Sequence, residues 1–177
     1  MKSWKRIAWI ISAFASPVIF AQTPGVSSPP TSGGGAAFVQ QALGEQIAKI
    51  ELSKIAQNNS TNPVVINFAK ATVRDETQAN RLLRELAAKK GIPVPETPDA
   101  EHTAMIKILG SKNGSELDAY YAEDMARTDD KVIQLYQSES ADNDRDVASY
   151  AQSALPQEEK HEKLAKSLIE STARRAT

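Results

Sequence analysis

The chain has 177 residues, 24% of them charged and 6% aromatic, with no cysteine and two histidines. Those counts exclude disulfides, thiolate metal sites and a cysteine nucleophile, and they leave little room for a histidine-rich metal centre or a Ser-His-Asp triad. With 21 Lys and Arg against 22 Asp and Glu, no basic face large enough to bind nucleic acid is expected.

The first 35 residues do not read as part of a folded domain. Lys2, Lys5 and Arg6 precede an apolar run from Ile7 to Phe20, and Ala21 follows, which is the layout of a secretory signal peptide over residues 1–21. The run is shorter than the roughly 20 apolar residues of a membrane-crossing helix and contains Pro17, so no span is expected in the mature chain. Cleavage after Ala21 removes three cations, leaving 18 basic against 22 acidic side chains. Residues 22–35 are rich in Pro, Gly and Ser, cannot bury apolar surface, and are expected to form a disordered tether.

From residue 36 to residue 177 the helical period dominates. A first helix is predicted from Ala36 to about Asn58. Asn62-Pro63 then reads as an N-cap with proline at the first helical position, opening a second helix that closes at Gly91 after Lys89 and Lys90. Thr97-Pro98 repeats the cap-plus-proline signal before a short helix ending near Leu109, and Ser115 starts a third long helix carrying Tyr121, Met125, Val132 and Tyr136 on one stripe. The acidic run Asp142, Asp144, Asp146 reads as the charged start of a last helix that carries Pro156. Phe68, Leu83, Met125, Tyr136, Tyr150 and Leu164 are predicted inside. Four long helices and one short one predict an all-α, antiparallel four-helix bundle with the extra short helix before the third long one.

A faint internal repeat supports a duplicated helical hairpin, as in ferritin-like bundles. Phe68 to Val73 aligns with Tyr150 to Leu155, and the same offset brings Glu76 onto Glu158.

Charged residues interrupt the apolar stripes. At 100° per residue, Glu45 and Lys49 share the stripe of Phe38, Ala42 and Leu52, while Glu76 shares that of Val65, Ala69 and Leu83. Asp129 falls between Met125 and Val132, and Glu158 and His161 fall between Ala154 and Ala165. Glu158 and His161 have the Glu-x-x-His spacing of di-metal carboxylate bundles. Three arrangements account for these residues: solvated acids beside a partly exposed histidine, a divalent metal held by Glu76, Asp129, Glu158 and His161, or a buried ion network of Glu45, Lys49, Glu76 and Asp129. His102, between Glu101 and Thr103, is expected at the surface.

The chain resembles the bacterial domain-of-unknown-function 4142 family of exported ferritin-like bundles. The resemblance runs from about Phe38 to Ile169 and rests on Ile50-Glu51-Leu52 with Ala56, Phe68-Ala69 with Val73-Arg74-Asp75, Leu117-Asp118 with Tyr121 and Met125, and Tyr150-Ala151 with Leu155-Pro156 and His161. It implies a four-helix bundle in the periplasm or envelope with no established activity. It also implies that relatives carry histidine at the positions of Glu76 and Asp129 and often an acid at that of Lys49, so that only His161 keeps the family identity. The expected function is therefore that of an exported, non-enzymatic protein meeting an envelope partner or contributing to stress tolerance, with no cofactor. The alternative is a metal-binding or redox bundle holding iron, manganese or zinc.

Cell fractionation with N-terminal sequencing tests export. The expected product begins at Gln22 outside the cytosol, and a cytosolic chain still beginning at Met1 overturns the expectation.

Overall fold

The computed structural model describes residues 34–176; the basic head, the apolar run and nearly all of the tether lie outside the described residues. Five helices follow in order: α1 (Gly34–Asn59), α2 (Pro63–Lys90), α3 (Ala100–Gly110), α4 (Gly114–Glu139) and α5 (Arg145–Ala176). No helix among the described residues is long and apolar enough to cross a membrane.

Local chemistry sets the boundaries. Asn62 has an extended backbone and accepts a hydrogen bond from the Val64 amide, while Pro63, which has no N–H to satisfy, starts α2. At the far end Gly91 takes the left-handed conformation, with φ 66°, and Ile92 donates back to the Ala87 carbonyl at 2.9 Å. The short helix starts later than Thr97-Pro98 suggests. Asp99, not Thr97, is its cap, because the Asp99 carboxylate receives the His102 amide at 2.8 Å. Asp144 accepts from the amides of Asp146 and Val147 and so caps α5, as the acidic run predicted. α5 continues helical through Pro156. α1 opens at Gly34, two residues ahead of expectation, and Gly35 is buried. A Cβ on Gly35 would meet the Val147 side chain at 3.2 Å, so the missing side chain lets α1 approach α5 closely.

The four long helices pack antiparallel to their neighbours. α1 pairs with α2 and α4 with α5, while α1 also packs on α4 and α2 on α5. Phe38 near the start of α1 meets Tyr136 near the end of α4, and Tyr150 early in α5 reaches the Ala79 carbonyl in the second half of α2. α2 and α4 therefore run in the same direction, and the chain must climb the length of the bundle between them. Residues 91–113 make that climb along α1: Gln40 donates to the Pro93 carbonyl, His102 meets Glu45, and Gly110 lies beside Ile55. One long crossover of this kind is the connectivity of ferritin-like bundles.

The apolar core comes in two halves. One contains Leu52, Val65, Phe68, Leu117, Tyr121, Met125 and Leu168; the other contains Phe38, Leu43, Leu83, Val132, Tyr136 and Val147. Between them lies a band of buried polar side chains that includes Gln46, Lys49, Thr72, Glu76, Asp129, Glu158 and His161. Of the predicted core residues, Leu164 is 44% exposed. It lies about 60° round the helix from His161, beyond the arc that Glu158, His161, Ala165 and Leu168 turn inward. Tyr150 is half-buried.

Leu83 is fully enclosed, so Leu83→Ala should cost about 2–5 kcal/mol in a urea titration. A cost near zero would place this face of α2 against water.

Candidate functional site

Lys49 is the centre of the polar band. It sits midway along α1, one turn beyond Gln46, and its side chain is 1% exposed. Its Nζ contacts Glu76 Oε1 from α2, Asp129 Oδ1 from α4 at 2.8 Å and Glu158 Oε2 from α5 at 2.8 Å. One ammonium, with its three N–H donors, thus faces one carboxylate from each of the other three long helices. Every one of these carboxylates is at least 96% shielded from solvent.

The electrostatics follow from burial and charge count together. Burial opposes the charge on Lys49, but attraction to Asp129, Glu158 and Glu76 outweighs it and holds the ammonium pKa well above its ordinary value. Burial also opposes the charge on Glu76. There Lys49 and His161 win, and the carboxyl titrates below its usual range. Asp129 and Glu158 go the other way. Burial is the larger influence on both, and neighbouring carboxylates add to it, so both are shifted upward despite Lys49. One cation cannot fully compensate three buried anions.

His161 extends the network towards the surface. Its Nδ1 lies 3.4 Å from Glu76 Oε1 and its Nε2 lies 3.2 Å from Asp75 Oδ2. Asp75 in turn accepts from Gln157 and from the exposed Arg74. Burial disfavours the imidazolium, yet the hydrogen bonds to the two acids carry its pKa above the ordinary value. Hydroxyl and amide groups line the band on either side. Gln46 donates to the hydroxyls of Tyr136 and Tyr150 at 3.1 and 3.0 Å, and Ser53 pairs with the Tyr121 hydroxyl at 2.8 Å. Burial pushes the Tyr150 hydroxyl up to about 12, which keeps it protonated. A cavity of about 260 Å³ between α2 and α5 reaches the band at Glu76, Glu158 and His161.

The structure thus brings Lys49, Glu76, Asp129, Glu158 and His161 together, and it places Glu45 elsewhere. Glu45 lies one turn before Lys49 and turns to the crossover, where its Oε2 meets His102 Nε2 at 3.0 Å. Asp99 Oδ1 meets Nδ1 of the same ring at 3.0 Å. His102 is therefore not a surface residue as expected; it is 8% exposed and clasped between two acids. Sequence offered one clue, the Asp99 to His102 spacing of a cap and its N3 residue, and gave no sign of Glu45 from another helix.

Glu76, Glu158 and His161 each offer one ligand atom, all within 4.8 Å of one another. Those donors suit a divalent cation in type. They fit it poorly in charge, because the Lys49 ammonium contacts both of these carboxylates, and a cation bound between them would be repelled at close range. Asp129 is not one of the three and contacts Lys49.

The clasp predicts a pH dependence. The hydrogen bond that the ring donates to Glu45, against opposing burial, raises the His102 pKa from 6.5 to about 9. A folded-state pKa above the unfolded one means stability present in full below about 6.5 and lost as pH rises through about 9. Comparing wild type with His102→Gln by denaturant titration should show an advantage on the order of 2–3 kcal/mol at pH 6 that fades by pH 10. A gap that stays constant with pH overturns the assignment.

A solved structure, the crystal structure of a DUF305 fragment from Deinococcus radiodurans, is similar in fold with a TM-score of 0.71. It is 14% identical in sequence, and the match covers 81% of this chain and 99% of that one. No curated protein matches the chain. A family model for a domain of unknown function (DUF4142) matches residues 21–168, a stretch that takes in α1 to α4, α5 as far as Leu168 and each member of the buried network, and on that match the chain belongs to the DUF4142 family.

Proposed function

We propose that the protein is exported to the cell envelope and works there as a non-enzymatic helical bundle, through a partner or in stress tolerance, with Lys49 taking the place that a metal ion would occupy between its helices. Export rests on the basic head and apolar run of residues 1–21. The observation that carries the rest is the contact of one ammonium with Glu76, Asp129 and Glu158. A redox or hydrolytic metal site needs converging carboxylates that are free to bind and an open coordination position. Here the carboxylates hold a tethered cation whose proton is strongly retained. The arrangement joins four helices around one ammonium.

The second reading is a divalent metal held by Glu76, Glu158 and His161, favoured by the convergence of their ligand atoms. It requires Lys49 to swing away or lose its proton.

Two measurements separate the readings. Elemental analysis of the purified protein should find no stoichiometric iron, manganese or zinc, and finding one equivalent supports the second reading. Lys49→Met strands three buried anions and should cost about 3–5 kcal/mol at neutral pH. The cost should shrink as pH falls. Without Lys49 the folded-state carboxyl pKa values lie above the unfolded ones, so the penalty exists above the folded values and vanishes below the ordinary carboxylate range near 4. Lys49→Glu should make the melting temperature respond to added Zn²⁺ or Mn²⁺. A neutral-pH cost near zero for Lys49→Met overturns the counter-ion reading.

A further inference from the structure

We propose that Asn113-Gly114, in the turn between α3 and α4, is a self-modifying site at which the folded protein converts Asn113 to aspartate or isoaspartate. The Gly114 main-chain nitrogen attacks Cγ of Asn113, and the new N–Cγ bond replaces the Cγ–Nδ2 bond. The proton lost from the Gly114 nitrogen leaves on the departing ammonia. Water then opens the five-membered ring at one of its two carbonyls. Breaking the bond to Cγ gives aspartate; breaking the bond to the main-chain carbonyl gives isoaspartate. No electrons change hands, and water is the co-reactant.

This chemistry needs an unengaged side-chain amide and a main-chain N–H free to give up its proton. Asn113 supplies the first. It is exposed, and its side chain makes no capping hydrogen bond to α4. Gly114 supplies the second, because it opens α4 and the first N–H of a helix has no acceptor within the helix. The glycine also leaves its nitrogen unshielded, and a Cβ placed there would find nothing within 4 Å. Asn113 is extended, with ψ 161°, so closing the ring requires rotation about its Cα–C bond. The bond from the Leu117 amide to the Asn113 carbonyl opposes that rotation but is long at 3.3 Å.

Each of the six other asparagines is protected by its surroundings. Asn62 precedes Pro63, whose nitrogen carries no proton. Asn58, Asn67 and Asn80 lie inside helices, where the following amide is bonded to the carbonyl four residues back. The Asn80 side chain also accepts from Arg84 at 2.8 Å. After Asn59, the Ser60 amide donates to the Ala56 carbonyl at 3.0 Å. After Asn143, the Asp144 amide donates to Asp142 Oδ1 at 2.6 Å. The fold thus leaves one asparagine of seven open to attack.

The product matters because Asn113 is the N-cap of α4. Aspartate there sets a carboxylate against the positive end of the helix and its unbonded amides. Isoaspartate instead adds a methylene to the main chain where the crossover hands over to α4, and it displaces the cap.

Incubation of the purified full chain at mildly alkaline pH, followed by peptide mass mapping, tests the site. The amide-to-acid mass gain should appear in the peptide spanning Asn113 at least roughly tenfold faster than at any other asparagine. In guanidinium the protecting hydrogen bonds are lost. Asn59 and Asn143 should then speed up at least roughly tenfold, while Asn113 changes less than about threefold. Asn113→Gln should abolish the gain in that peptide with circular dichroism unchanged. No gain at Asn113 in the folded chain, a gain there only in guanidinium, or an equal rate at Asn59 or Asn143 in the folded chain overturns the proposal.

Discussion

The constraint on which this bundle depends is the cost of holding an ammonium out of water. A lone lysine buried to 1% exposure would release its proton sooner than remain charged. Lys49 stays charged because each of the other three long helices delivers a carboxylate to it. The requirement is geometric as much as electrostatic. Glu76, Asp129 and Glu158 reach one nitrogen only if α2, α4 and α5 hold their axial register against α1. Sliding any helix by a turn would move its acid about 5.4 Å and leave a buried charge unpaired. The apolar halves above and below the band are tolerant by comparison, since hydrophobic surface is non-directional. The network specifies the alignment, and the two apolar clusters stabilise it.

The crossover answers a related problem. With α2 and α4 running the same way, residues 91–113 must return along the outside of the bundle, part of the way as α3. Pro93, Pro95 and Pro98 stiffen the path, and contacts with α1 fix it: Gln40 to the Pro93 carbonyl at one end and the Glu45–His102–Asp99 clasp farther along. Arg84 of α2 adds a hydrogen bond to the Pro95 carbonyl. α1 thus carries two ion clusters, Lys49 facing inward and Glu45 facing the crossover, four residues apart on one helix.

That division explains what could be read from sequence. The helices were legible because their ends are written in local chemistry, in Asn62-Pro63, Gly91 and the acidic run before α5. The band was legible because Lys49, Glu76, Asp129, Glu158 and His161 each break an apolar stripe, and a charge within such a stripe is buried once the helix packs. Glu45 breaks the same stripe as Lys49, yet its destination depends on a crossover whose path no periodicity encodes. His102 had the same weakness: its burial comes from α1, not from its own short helix. Leu164 shows the opposite error, where an apolar residue at plausible helical spacing lies just outside the arc that α5 turns inward.

Asp75 and Glu76 are consecutive on α2, and neighbours on a helix point about 100° apart. Glu76 turns inward to Lys49 while Asp75 stays at the edge, 19% exposed, against Arg74. His161 bridges them, one ring nitrogen to each. The result is an alternation of sign from the centre of the bundle to solvent: Lys49, Glu76, His161, Asp75, Arg74. Each link places opposite charges together when the imidazole is protonated, so this arm of the network is balanced along its length. Among the described residues, Asp129 and Glu158 have no such arm. They share Lys49 with Glu76, and both are shifted towards the protonated form where Glu76 is shifted away from it. The imbalance of the band therefore lies with Asp129 of α4 and Glu158 of α5, and of these two Glu158 lines the cavity.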